Sequence, residues 1–195
     1  MPEPVICNHI RIEPLPYAAL LATRPLDDIE LVVIHCTELP DLAMARVFGE
    51  RVLYQDSGTG NSGHFYIDRD GSIVEYVDIG HIAHHTRGYN PRSVGIELVN
   101  TGRYPDWLDS RYQAMDEAYT DAQIDGLIAL LRDLCTRIPG LNVIAGHEDL
   151  DTDEVESSDD PHVKVRRKRD PGPSFPWTRV LAEVPLERLA VAQHL

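Results

Sequence analysis

The chain has 195 residues, is 43% hydrophobic, and carries 18 basic against 32 acidic residues, a formal charge of −14. That length and apolar content suit one domain with a real core rather than two. So acidic a surface repels phosphate backbones and anionic lipid, which argues against nucleic acid or a membrane as partner. No apolar run reaches the ~20 residues of a membrane span. The opening Met1-Pro2-Glu3-Pro4 lacks a basic n-region, and residues 17–22 are too short for a signal-peptide core, so the expected location is the cytoplasm. Cys7, Cys36 and Cys135 are too few and too widely spaced for a disulfide framework, and read as small buried hydrophobes.

Residues 1–28 are mixed and Pro-rich, and read as an N-terminal extension with one short helix near 17–23. Residues 29–36 form a β-branched apolar run, a buried strand that ends on His35 and Cys36. Apolar residues at helical spacing over 42–54, after Asp41 as N-cap, predict a helix. The glycine-rich loop 58–63 has neither a Lys-Ser/Thr ending nor Rossmann spacing, so a phosphate cradle fits it poorly. Two alternating runs, 64–68 and 72–77, flank Arg69-Asp70-Gly71 and predict a hairpin. Residues 93–99 read as another buried strand.

The strongest helix signal follows. Thr120 and Gln123 form a capping box, and Ile124, Leu127, Ile128, Leu131, Leu134 and Ile138 make one apolar stripe that Pro139-Gly140 ends. Residues 141–145 are a last strand before Gly146-His147. An acidic stretch (151–160) and a basic one (164–169) look like an exposed insertion, without the spacing of a calcium loop. A short helix from Pro176 closes the domain. The organisation predicted is an N-terminal extension (1–28), one domain (29–185) with an insertion at 151–167, and a C-terminal tail (186–195). The fold class is α/β: a single domain with a mixed central β-sheet flanked by helices.

Nine histidines are many for this length. His35 closes a buried strand, His147 follows a strand and Gly146, and Asp170 lies in Asp170-Pro171-Gly172-Pro173. Catalytic zinc takes three such ligands and leaves a position for water. Taken singly, each residue also has a plain reading: a core histidine, a turn residue and a turn former before proline.

Five segments together resemble the type 2 N-acetylmuramoyl-L-alanine amidase family, which includes bacterial and phage amidases and animal peptidoglycan recognition proteins. They are Val32-Val33-Ile34-His35-Cys36-Thr37; Ser62-Gly63-His64-Phe65-Tyr66-Ile67-Asp68-Arg69-Asp70-Gly71; Ala83-His84-His85-Thr86-Arg87-Gly88-Tyr89-Asn90 with Ser93-Val94-Gly95-Ile96-Glu97-Leu98; Gly146-His147-Glu148-Asp149; and Lys168-Arg169-Asp170-Pro171-Gly172-Pro173. The resemblance implies an amidase/peptidoglycan-recognition-like fold, Zn2+ held by His35, His147 and Asp170, and catalytic roles for Glu97 and Lys168. It implies hydrolysis of the muramoyl–L-alanine amide in peptidoglycan fragments (muropeptides), with cell-wall recycling as the expected setting. His64, His85 and Asn90 are expected to contact substrate or to support the ligands. Strand alternation agrees, since His35 and Cys36 face opposite ways and Glu97 opposes Ile96 and Leu98. Many bacterial members have Trp where His84 stands, and some phage and animal members have a catalytic Tyr where Gly63 stands. A peptidoglycan-binding module without activity, an exported lytic amidase and a structural zinc protein are the alternatives. Oligomeric state is not readable from the sequence.

Overall fold

A computed structural model describes residues 10–189; Cys7 and positions 190–195 of the expected tail lie outside the described residues. Nine strands and four α-helices follow in order: β1 (Arg11–Ile12), β2 (Leu31–Cys36), α1 (Leu42–Gly49), β3 (Phe65–Ile67), β4 (Ile73–Glu75), β5 (Ser93–Leu98), α2 (Asp121–Arg137), β6 (Val143–Gly146), α3 (His147–Leu150), β7 (Glu154–Glu156), β8 (Lys164–Arg166), α4 (Trp177–Glu183) and β9 (Glu187–Arg188). Seven strands form one sheet in the order β1-β4-β3-β5-β2-β6-β9. It is mixed: β3 and β4 are the antiparallel hairpin, while β2 runs parallel to both β5 and β6. Among the described residues no helix is long and apolar enough to cross a membrane.

The apolar stripe of α2 explains one layer. Ile124, Leu127, Ile128, Leu131 and Leu134 are buried against Val32, Ile34, Val94, Ile96 and Leu98. Each such side chain stabilises the fold by about 1.5–3 kcal/mol on burial. The helix starts as its sequence demands: the Thr120 hydroxyl accepts from the Gln123 amide (3.1 Å) and Gln123 Oε1 accepts from the Thr120 amide (3.2 Å). Gly71, at φ +83°, turns the β3–β4 hairpin tightly over the first turn of α2, where a Cβ would stand 2.5 Å from the Ala122 carbonyl oxygen.

Four segments depart from the sequence reading. The helix expected over 42–54 stops at Gly49, because the Leu53 and Tyr54 amides bond the Thr59 carbonyl instead of continuing the helix. Val52, Leu53 and Tyr54, which extended the helical pattern, are left exposed. Residues 10–28, expected as an extension, supply edge strand β1 and four core side chains, Leu15, Tyr17, Ala18 and Leu21, packed with Tyr66, Val74 and Tyr76. In the expected tail, Leu186 is buried and β9 pairs with β6. The expected insertion is an antiparallel hairpin, β7–β8, tied to the domain through Asp151, Ser157 and Val165, all buried.

Candidate metal centre and active-site cleft

The second face of the sheet carries the polar residues. On β2 and β5 the odd-numbered side chains point away from α2, and the register sets His35 opposite Glu97. Strand β3 adds Tyr66 opposite the same Glu97. Strand β6 pairs with β2 up to Gly146, so His147, the first residue of α3, lies beside His35. Their rings meet edge-on with centroids 4.5 Å apart. Asp170 arrives from the segment after β8. The Glu148 amide donates to its carbonyl (2.8 Å), and Gly146 leaves room for the turn, since a Cβ there would be 2.8 Å from Pro171 Cδ.

His35, His147 and Asp170 are all buried, with one ligand atom from each lying within 4.8 Å of the others. Nδ1 of His35 and Nδ1 of His147 both face Asp170 Oδ2, at 2.9 and 3.0 Å. The second oxygen, Asp170 Oδ1, is buried with no hydrogen-bond partner. Two imidazole nitrogens converging on one carboxylate, with a lone-paired oxygen left over, are the donor set of a catalytic metal site. The spacing is close to the ~3.3 Å that bonds of about 2.0–2.1 Å at tetrahedral angles require. The cluster therefore fits a metal ion.

Electrostatics agree. Burial pushes His35 down to about 4, helped by His147 and opposed by Asp170, so the imidazole is neutral as a ligand must be. Burial alone would raise Asp170, but the two histidines reverse this and hold it well below the usual carboxylate range. Glu97 has no such partner. Burial and the neighbouring Asp170 raise it to about 8, against the pull of Lys168. Its Oε1 lies 4.0 Å from His35 Nδ1. Lys168 lines the same cleft and has no ion-pair partner among the described residues.

The remaining expected residues separate. His85 borders the cleft, with Nδ1 3.1 Å from His35 Nε2. Asn90 turns its side-chain oxygen inward, accepting from the His85 and Thr86 amides (3.0 and 2.7 Å). His64 is fully buried behind His85, with Nδ1 accepting from the Gly95 amide and Nε2 beside the His81 carbonyl and Arg24. Burial and Arg24 push it down to about 3. His64 holds strand to loop and does not line the cleft.

Gly63 explains how Glu97 fits. A Cβ at position 63 would stand 2.8 Å from Glu97 Cγ and 3.2 Å from the Gly95 carbonyl oxygen. The cleft, about 730 Å³, has an aromatic wall including Phe48, Tyr54 and Trp107, and His84 meets Tyr54 edge-on (5.1 Å). The segments flanking the β7–β8 hairpin also line the cleft, through Asp151, Arg167 and Lys168. Arg103 is bidentate to Glu38 (2.6 and 2.8 Å) and donates to the Arg166 carbonyl (3.0 Å), which fixes the approach to Lys168. Tyr66, Arg103 and Ser93 escaped the sequence reading. Only Tyr66 left a trace, in the even-numbered alternation that it shares with His64.

With this geometry in place, comparison with known proteins is decisive. The family model for N-acetylmuramoyl-L-alanine amidase matches residues 25–173. The chain belongs to this amidase family. An amidase of the family, the 1,6-anhydro-N-acetylmuramyl-L-alanine amidase AmpD of Citrobacter freundii, is 37% identical over 132 residues, 63% of this chain and 57% of that relative. The endolysin of Enterobacteria phage T3 is 28% identical over 128 residues, 65% of this chain and 80% of the relative. The crystal structure of a selenomethionine AmpD derivative superposes with a TM-score of 0.64 at 29% identity, covering 91% of this chain and 95% of that one. The chain spans little more than half the length of the curated AmpD amidases that it matches.

Proposed function

We propose that this chain hydrolyses the amide between N-acetylmuramic acid and the first L-alanine of soluble muropeptides, using zinc held by His35, His147 and Asp170, in cytoplasmic cell-wall recycling. One observation carries the reading: the buried His–His–Asp cluster opens onto a cleft where Glu97 and Lys168 stand free of strong partners. The AmpD relative, named for an anhydromuramyl substrate, supports a soluble fragment as the target.

An amide is a poor electrophile with a poor leaving group, so it needs activated water, charge stabilisation on oxygen and a proton for the departing nitrogen. Zinc, when bound, supplies Lewis-acid polarisation and acidifies water toward neutral pH. Glu97 takes the proton of the attacking water on a carboxylate oxygen and passes it to the L-alanine nitrogen. Burial raises this carboxyl in the metal-free protein; a cation held by His35, His147 and Asp170 would pull it back toward the carboxylate that accepts the proton, while burial still favours the protonated form that delivers it. The Lys168 ammonium places positive charge beside the developing oxyanion. His85, His64 and Asn90 brace the loop behind His35.

The phage endolysin relative favours a second reading, a lytic amidase acting on intact wall. Mass spectrometry of the zinc-loaded protein with a soluble anhydro-muropeptide, with and without chelator, separates the two. Chelator-sensitive release of a peptide beginning with L-alanine is the expected result. Solubilisation of sacculi with no turnover of the fragment would favour the lytic role, and no cleavage of either would leave a binding module.

A further inference from the structure

We infer that His85 and Ser93 are positioning residues that set the tautomer of His35, through a one-way hydrogen-bond chain ending on the Tyr89 carbonyl. The inference rests on the metal-centre reading above, and it concerns which nitrogen of His35 is offered to the metal.

The direction of the chain follows from its far end. A carbonyl oxygen only accepts, and Ser93 Oγ donates to Tyr89 O at 2.8 Å. That uses the single hydroxyl proton, so Ser93 Oγ accepts from His85 Nε2, 3.2 Å away. A neutral imidazole protonated on Nε2 carries its lone pair on Nδ1. His85 Nδ1 lies 3.1 Å from His35 Nε2, which must then be the protonated nitrogen of His35. The lone pair of His35 is left on Nδ1, the atom that faces Asp170 and His147. Thr86 Oγ1, at 3.3 Å from His35 Nε2 and 3.0 Å from His85 Nδ1, can accept from the first and donate to the second, which preserves the same direction.

The His85 ring is also held in place. Asn90 fixes its backbone by accepting from the amides of residues 85 and 86. Gly95 lets the ring lie directly on β5, because a Cβ there would stand 2.6 Å from His85 Cγ. Ser93 is fully buried, so water does not substitute for its hydroxyl. Metal-bound histidines usually give the second N–H directly to a carboxylate, a carbonyl or water. Here the carbonyl comes at the end of a relay through a second imidazole.

The test titrates metal-free protein with Zn2+ against a competing chelator and reads histidine 15N spectra of the zinc-loaded form. His85→Ala is expected to weaken zinc binding by roughly 10–100-fold, within the range for loss of a partner behind a ligand. Ser93→Ala is expected to weaken it less, and His85→Gln, whose side-chain carbonyl can accept from His35 Nε2, to recover part of the loss. The wild-type spectrum is expected to show His35 protonated on Nε2, with a coupling across the bond to His85 Nδ1. Wild-type zinc affinity in His85→Ala, or a His35 bound through Nε2, would overturn the inference while leaving the metal centre intact. Absence of zinc binding by the wild type would overturn both. The wild-type spectrum decides the matter even if His85→Ala does not fold.

Discussion

The two faces of one pair of strands do different work. Toward α2, β2 and β5 present Val32, Ile34, Val94, Ile96 and Leu98, all without exposure and held by contact alone. On the other face the same strands present His35, Ser93 and Glu97, each tied to particular polar atoms or left waiting for one. The first face tolerates any side chain of the right volume. The second depends on single atoms at fixed distances, so damage there should cost chemistry while damage to the first should cost stability.

Asp170→Ala should make the largest break. Removing the carboxylate that both histidines face is expected to abolish metal retention and lower turnover by ~10³-fold or more, read by metal analysis and by muropeptide cleavage. Glu97→Gln should lower kcat by roughly 10²–10⁴-fold while zinc stoichiometry stays at the wild-type value. Near-normal turnover with zinc bound would remove Glu97 from the base role. On the opposite face, Leu131→Ala should cost ~2–5 kcal/mol in denaturant unfolding and leave the folded fraction active.

A pH experiment sharpens the contrast. Glu97 is raised to about 8 in the metal-free protein by burial and by Asp170. Below about 4.5 it is protonated folded and unfolded alike and contributes nothing. As pH rises from there toward 8, the unfolded chain releases a proton that the folded chain keeps, so stability falls, levelling above 8. The chelated wild type should therefore lose melting temperature over this window faster than chelated Glu97→Gln, by ~5 °C or more in total. Parallel curves would show that Glu97 ionises freely. The smallest expected effect on rate is that of Gly63→Ala, which should lower kcat about 10-fold by displacing Glu97, with a modest fall in melting temperature from the close approach to the Gly95 carbonyl.

Legibility followed the same division. The buried run of β2, the Asp70-Gly71 hairpin and the Thr120–Gln123 capping box announced themselves because periodicity and caps are local properties. Strand parity also put His35 and Cys36 on opposite faces before any coordinates. His147 reaches His35 through the parallel pairing of β2 with β6, and Asp170, 135 residues after His35, through the loop that follows β8; no local pattern contains either meeting. Only the family resemblance suggested it. The helix read through residue 54 failed because Val52, Leu53 and Tyr54 continue the apolar pattern without packing on the core: all three are exposed, and Leu53 and Tyr54 line the cleft. Arg103 was invisible because its partners, Glu38 and Arg166, lie far along the chain; Ser93 bonds near neighbours, His85 and Tyr89, but nothing in its residue type or place in the strand marked its hydroxyl.

The contact between position 63 and Glu97 also limits what this part of the cleft can hold. Gly63 lies in the loop before β3, and the Glu97 side chain, rising from β5, fills the space that a larger residue at 63 would need. Any side chain grown at that position competes with the carboxylate for the same volume. The glycine and the glutamate therefore constrain each other: a change at 63 is also a change in where the carboxylate can stand.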